Sequence, residues 1–359
     1  MVGHVVADYF SSAYVNAYLN STVQAVSEAG GGWFAYDQQG TYLSIEPPVI
    51  GDVPPQPSPY QHRTATEDEL TRMVAAARAR NLKFVLKVSA IYDGLLDPAK
   101  DPFGAANLDI AARAEATLDQ WADRLAQGDA AARTYWDAWF EQYSAFVLKQ
   151  AAIAQRLGIE VITMTSHERS ADLEENAPRW RQLIARVRQV YGGKLTYIIP
   201  TYDASSGRNA FPWADLDYIT FYPASRISDA AQPSIAEIKA AFERFSNEVV
   251  EPAARRWNRP VLFITTFMSR TPPYHEWFEW SQPHPEIGLD LLTQAKETEA
   301  FFQVMSNKPW VAGIFSWAFW WRDDFNSTVN PGDASYDKGG SIRNKPATAI
   351  WRRWAGQAF

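Results

Sequence analysis

The alternation of strand-like and helix-like segments constrains the fold of this chain more than any other feature of its sequence. Short, nearly continuous apolar runs, typical of buried parallel strands, recur eight times along the 359 residues, with helical patterns between them. Right-handed crossovers and the count of eight favour an α/β fold with one (β/α)₈ TIM barrel spanning residues 1–359. The predicted strands are residues 4–10, 32–37, 83–89, 160–165, 195–199, 216–222, 260–266 and 311–317.

The helices between these strands carry recognisable start and stop signals. Thr66 followed by Glu69 is a capping-box pattern, which predicts a helix to about Arg80. Ser234 is predicted to cap the helix 235–249. The other helices are predicted at 13–28, 131–157, 174–191, 290–306 and from Pro346 onward.

Two connections, residues 38–63 after the second strand and 90–130 after the third, are long for a barrel. We expect these long loops to wall a groove or to form a lid. The competing arrangement is an open, doubly wound sheet. The turn after the first strand reads Phe10-Ser11-Ser12-Ala13, without the G-x-G-x-x-G pattern of a dinucleotide-binding sheet, so the closed barrel is favoured.

Composition excludes several function classes. The chain has no cysteine, which rules out disulfides, thiolate catalysis and Cys-ligated metals. Its five His are widely spaced and form no H-E-x-x-H motif, so we predict neither a metal nor an organic cofactor. A net charge of −7 argues against a nucleic-acid partner. No long uncharged apolar stretch predicts a membrane span, and nothing indicates the oligomeric state.

The first residues, Met1-Val2-Gly3-His4, show neither the basic region nor the long apolar region of a signal peptide. A Trp-rich chain without cysteine is nevertheless compatible with export. We therefore expect a secreted or periplasmic protein whose signal has been removed, and a cytoplasmic location stays open.

Polar residues follow the predicted strands at the end of the barrel where the active sites of TIM barrels lie. Half of the candidates are carboxylates set among aromatic rings, a combination that suits carbohydrate because rings cover the C–H faces of sugars while carboxylates and Arg bind hydroxyls. Cleavage of a glycosidic bond needs one carboxylic acid and a second carboxylate. The candidates are Asp37, Tyr92, Asp93, His167, Glu168, Tyr202, Asp203, Tyr222, Glu276, Glu279, Trp317, Trp320, Trp321, Arg322, Asp323 and Asp324.

Ordinary structural roles compete with this interpretation. Glu168 would also serve as a helix-start carboxylate, and Asp323 with Asp324 as a solvated loop pair. Many of the 15 Trp are expected in the core. In the Trp320–Trp321 pair, one ring must face the site or the helix layer. Four Arg follow four different strands and would either pair with neighbouring acids or bind a charged sugar: Arg169, Arg226, Arg270 and Arg322.

Several segments, in their order and spacing, resemble glycoside hydrolase family 113, the retaining β-mannanases of the large TIM-barrel clan A. The resemblance implies a general acid/base role for Glu168. It also implies that Trp317 is the indole floor beneath the sugar at the cleavage point. The segments are Thr66–Leu70, Asn81–Lys87, Gly158–Glu168, Arg179–Tyr197, Trp310–Trp317 and Ser341–Ala347.

The resemblance fails at the end of the seventh strand, where the family carries its nucleophilic Glu. Here the strand ends in Ile264-Thr265-Thr266-Phe267, and the expected position falls on Thr265. Three alternatives follow: a hydrolase with Glu168 as general acid and another carboxylate, Asp323 or Glu276, in an inverting arrangement; a glycan-binding barrel without turnover; or a transglycosidase or lyase. Asp37 and Asp203 are further candidates for the second carboxylate. The predicted substrate-binding residues are Trp317, Trp320, Trp321, His167, Tyr222, Asp37, Asp203 and Arg322.

Overall fold

Eight parallel strands close into a barrel in the computed structural model of this chain. The structure describes residues 1–6, 12–53, 63–92, 95, 105–166, 169–200, 211–223, 233–271, 288–321 and 339–357. Closure is completed where the first strand pairs with both the second and the last, so each barrel strand has two parallel neighbours. The predicted (β/α)₈ TIM barrel is confirmed.

Each barrel strand begins within two residues of its predicted start, because each contains a run of buried apolar residues. The barrel strands are β1 (Val2–Val6), β2 (Trp33–Ser44), β4 (Lys83–Ile91), β5 (Val161–Thr165), β6 (Lys194–Pro200), β7 (Tyr218–Tyr222), β8 (Val261–Thr265) and β11 (Val311–Phe319). Three short strands lie outside the barrel: β3 (Val49–Asp52), β9 (Arg270–Thr271) and β10 (Gly288–Leu289).

The helices surround the barrel. They are α1 (Ser12–Glu28), α2 (Glu67–Arg78), α3 (Ala105–Ala126), α4 (Ala130–Leu157), α5 (Ala177–Val190), α6 (Ile235–Phe245), α7 (Glu251–Trp257), α8 (Leu291–Met305) and α9 (Pro346–Ala355). The capping box of Thr66 and Glu69 is present, and Ser234 forms a second with Glu237. The predicted helix 235–249 instead runs through a π-helical turn, Ser246–Val250, into α7. Among the described helices, none is both long and apolar enough to cross a bilayer.

The segment predicted as a loop after the second strand begins as sheet. Strand β2 continues to Ser44 and turns into β3, which pairs with it in antiparallel orientation. The side chain of Gln38 bonds to Gln150 of α4 and to the backbone of Ala65. A Cβ atom at Gly40 would lie 2.7 Å from the ring of Phe146, so only glycine allows this approach to α4. Long-range contacts of this kind, which local sequence does not reveal, extend the strand.

Two apolar cores result from the alternation of side chains along the strands. The larger fills the layer between barrel and helices. The smaller fills the barrel interior with side chains such as Val5, Ala35, Val161, Ile264 and Phe315. The described residues that face the interior at the carboxyl ends of the strands form the candidate site.

Candidate active site

A buried ion pair lies inside the barrel, between strands β2 and β4. The ammonium of Lys87 is 2.8 Å from the carboxylate of Asp37, and both side chains are only 3% exposed. Ser89 also donates to this carboxylate, at 2.9 Å, and Gln39 donates to its second oxygen at 3.0 Å. Burial lowers the pKa of Lys87, while the adjacent carboxylate of Asp37 opposes that shift. Asp37 therefore stabilises the buried positive charge of Lys87 within the barrel.

Trp317 lies directly over this pair. The Lys87 nitrogen is 4.6 Å from the centroid of the Trp317 ring, within the range of a cation–π contact. Trp317 and Trp320 both pack with the residues of the barrel interior, and Tyr222 of β7 packs beside them, partly exposed. Two buried indoles and one partly exposed phenol thus lie in the interior where the strands end. Aromatic rings at this end of a barrel are the groups that cover sugar rings in carbohydrate sites.

Trp321 has a different environment. Its ring is 2% exposed and lies in the helix layer, with the rings of Phe34 and Tyr36 6.3 and 6.2 Å away. The pair therefore divides as the sequence requires, Trp320 inward and Trp321 outward. The prediction that Trp321 binds substrate does not fit this packing and is corrected: its ring is buried among side chains that face the helices.

The end of β8 carries two threonines. Thr265 pairs in register with Ser316, whose hydroxyl bonds to His4 on the helix side of the barrel, so Thr265 also faces the helices. Phe267 packs with Phe242 and Phe301 in the same layer. Because successive side chains of a strand point to opposite faces, Thr266 lies on the interior side. The hydroxyl of Thr266 donates to the carbonyl of Gly340 at 3.1 Å. The replacement of the family's nucleophile at Thr265 stays a prediction.

A polar network anchors the end of β5. The hydroxyls of Ser166 and Tyr197 are 2.8 Å apart, and Tyr197 donates to Asp172 at 2.8 Å. Burial, reinforced by the charge of Asp172, raises the pKa of Tyr197 well above its usual value, so the phenol stays protonated and donates. The network fixes the residue that immediately precedes His167 and Glu168 in the chain.

Several predicted site residues lie outside the described residues: His167, Glu168, Asp203, Arg226, Glu276, Arg322 and Asp323, as well as the side chain of Arg169. Their roles stay predictions. Arg270 is buried beside β8. Across the described ranges, no group of three or more acidic or His side chains is arranged to hold a metal ion.

The sequence reasoning missed Lys87 and Ser89. Their signal is present in Phe84-Val-Leu-Lys-Val-Ser89, where a charged and a hydroxyl residue interrupt a strand with apolar residues on both sides. Such an interruption in a strand buried on both faces requires a buried partner. Asp37, at the matching register on the neighbouring strand β2, is that partner.

Comparison with known proteins connects this barrel to carbohydrate-active enzymes. The family model described as Glycoside Hydrolase Family 113 matches residues 113–340. No curated protein sequence matches the chain.

Three similar solved structures are β-mannanases. Two are described as GH113 β-1,4-mannanases. One of them, determined as a complex, has TM-score 0.69 and 17% identity and covers 99% of this chain and 98% of its own. The other has TM-score 0.70 and 16% identity and covers 100% of this chain and 99% of its own. The third is the GH113 β-mannanase AaManA from Alicyclobacillus acidocaldarius in complex with ManMIm, with TM-score 0.67, 22% identity and coverage of 98% and 96%.

Proposed function

This chain belongs to glycoside hydrolase family 113, a family of glycosidases, and we propose that it hydrolyses a β-mannoside-containing saccharide with Glu168 as general acid. The family match to residues 113–340 carries the proposal, because it includes β5 and the residues that follow it. The solved relatives named above are β-mannanases, which supports mannan as the first substrate to test.

The second carboxylate is proposed to come from Asp323 or Glu276. The described residues from Val261 to Thr271 contain no Asp or Glu, so β8 supplies no nucleophile of the usual kind. The carboxylate of Asp37 is engaged by three protein donors, including a buried ammonium, which makes it a poor base. In inverting enzymes the two carboxyl groups are about 6.5–9.5 Å apart, which leaves room for the attacking water.

In this mechanism Glu168 protonates the leaving glycosidic oxygen while the second carboxylate takes a proton from the attacking water. Trp317 and Trp320 cover the apolar face of the sugar, and Tyr222 contributes a hydroxyl at the rim. The interior arrangement of these three rings supports the binding part of the proposal.

The first prediction concerns the general acid. Glu168→Gln should lower turnover of β-1,4-mannan or manno-oligosaccharides by at least about a hundredfold, because the amide cannot protonate the leaving oxygen. The measurement is release of reducing ends, with binding followed separately by calorimetry. Glu175→Gln, which alters an exposed carboxylate seven residues later, is the matched control and should leave turnover unchanged. Unchanged turnover in Glu168→Gln would refute the assignment.

The missing carboxylate on β8 favours one second candidate, a glycan-binding barrel without turnover. A panel of plant and bacterial polysaccharides separates the two. Saturable binding with no product from any glycan would support the binding barrel, whereas unsaturated or transferred products would indicate a lyase or a transglycosidase.

A further inference from the structure

A one-residue bulge directly after Trp317 changes which side chains of strand β11 face the barrel interior and which face the helices. On β1, His4 pairs with Ser316 and Val6 with Phe319, so one residue of β1 opposes two residues of β11, Trp317 and Ala318. Without the extra residue, alternation would turn position 319 inward and position 320 toward the helices. Phe319 instead packs against His4 in the helix layer, at 5.0 Å between ring centroids, and Trp320 faces the interior with Trp317.

The bulge has an energetic cost. Ala318 has φ 61°, the left-handed region, where a residue with a Cβ is disfavoured by about 1 kcal/mol or more. Such a conformation persists only where its surroundings over-determine it. Something other than local preference must therefore hold the end of β11.

Arg343 is placed to hold it. Its guanidinium is buried and donates through Nη1 to the carbonyls of Trp320, at 2.6 Å, and Trp321, at 2.8 Å. Thr22 of α1 donates to the same Trp321 carbonyl at 2.6 Å. The backbone N–H of Trp320 donates to the hydroxyl of Ser341 at 3.4 Å. The segment that follows the barrel thus satisfies the backbone on both sides of Trp320.

The same segment is fixed to the neighbouring strand end. Besides Thr266, Gln294 of α8 donates to the carbonyls of Gly340 and Ser341, at 3.3 Å each. Lys345 donates to Ser269 and to the carbonyl of Gly339. The segment that carries Arg343 is therefore hydrogen-bonded to the ends of both β8 and β11.

We propose that Arg343 is a positioning residue, which keeps the bulge at Ala318 in place and thereby holds Trp320 beside Trp317 as a two-ring platform for a sugar. The two carbonyls that it binds belong to the residues immediately after the bulge. Burying a guanidinium is costly unless it is hydrogen-bonded, and here its Nη1 donates to the backbone of the site. The sugar-binding part of this inference rests on the proposed function.

The experiment compares Arg343→Met and Arg343→Lys with Arg259→Met. Arg259 also donates to backbone carbonyls, those of Leu216 and Ala214. It lies two residues before the start of β8, at the opposite end of the barrel. It therefore controls for loss of an Arg that caps carbonyls. All variants are labelled with 5-fluorotryptophan, and the Trp320 signal is assigned by Trp320→Phe.

Arg343→Met should move the ¹⁹F resonance of Trp320. It should also raise KM for a β-1,4-manno-oligosaccharide about tenfold with a smaller change in kcat, because the platform binds rather than reacts. Arg343→Lys should recover part of both effects, and Arg259→Met should show neither. An unmoved Trp320 resonance in folded Arg343→Met, or equal effects in Arg259→Met, would overturn the proposal.

Ser341→Ala removes the hydroxyl that accepts from the backbone N–H groups of Trp320 and Arg343, leaves the Arg343 guanidinium in place, and serves if Arg343→Met does not fold. It should shift the same resonance in the same direction, and no shift would count against the proposal. If the wild-type protein neither binds nor cleaves any glycan, the proposed function fails, yet the ¹⁹F comparison still decides whether Arg343 positions Trp320.

Discussion

The helix layer and the barrel interior use aromatic residues for different purposes. In the helix layer, Trp136, Trp139 and Trp180 contact one another and their aromatic neighbours at centroid distances of 4.9–6.5 Å. In the interior, Trp317 lies over a buried ion pair, and Trp320 joins it through a strained bulge. One set fills space, whereas the other is held in place by polar groups and backbone constraints.

This difference changes what the composition means. The five Trp among the largest fully buried side chains all lie in the helix layer: Trp136, Trp139, Trp180, Trp321 and Trp351. An abundance of Trp therefore reflects packing in large part. The case for a sugar ligand rests on the two inward rings and their partners rather than on the total of 15.

The ion pair beneath Trp317 gives the largest expected effect on stability. Lys87→Met leaves the Asp37 carboxylate buried without its cation, which should lower the free energy of unfolding by about 3 kcal/mol. Urea denaturation measures the change. The double variant Lys87→Met/Asp37→Asn, which removes both charges, should recover to within about 1 kcal/mol of the wild type.

Lys83→Met is the matched control, because Lys83 lies on the same strand and the same face, near Trp33 at the exposed end of the barrel. It should change stability by less than about 0.5 kcal/mol. If Lys87→Met changes the free energy of unfolding as little as Lys83→Met does, the ion pair does not stabilise the barrel interior, and the interior is held by packing as the helix layer is.

A smaller effect is expected from His4, on the helix side of β1. Burial lowers the pKa of His4 from 6.5 to about 3, so the folded state holds the ring neutral while the unfolded chain takes up a proton below pH 6.5. Stability should therefore fall as the pH drops from 6.5 toward 3, with a loss of about 2 kcal/mol at pH 5.

The variant His4→Gln cannot gain this proton and should lack that part of the pH dependence. Unfolding curves at pH 8 and pH 5 provide the comparison, with the other four His retained in both proteins. Equal acid destabilisation of the wild type and His4→Gln would show that other groups cause it.

The barrel could be predicted from the sequence because strands that are buried on both faces are recognised as apolar runs. The helix N-caps at Thr66 and Ser234 were predicted correctly as well. The antiparallel extension of β2 was missed, since it depends on the approach of Gly40 to Phe146, 106 positions away in sequence. Local pattern gives no access to such contacts.

The site was less predictable for the same reason. Trp320 and Trp321 look alike in sequence, and only the bulge at Ala318 decides which one faces inward. Alanine has no preference for the left-handed region, so nothing in the sequence marks the bulge. The sequence likewise does not show which of Thr265 and Thr266 faces the interior, and in the structure Thr265 pairs with Ser316 on the helix side.

The anomeric configuration of the first product distinguishes inversion from double displacement, because it reports whether a water or a carboxylate attacks the sugar. Proton NMR is recorded during the first minutes of cleavage of a β-1,4-manno-oligosaccharide, before mutarotation. Without a carboxylate on β8, we expect the α-anomer to appear first, by inversion. Initial release of the β-anomer, with retention, would contradict it.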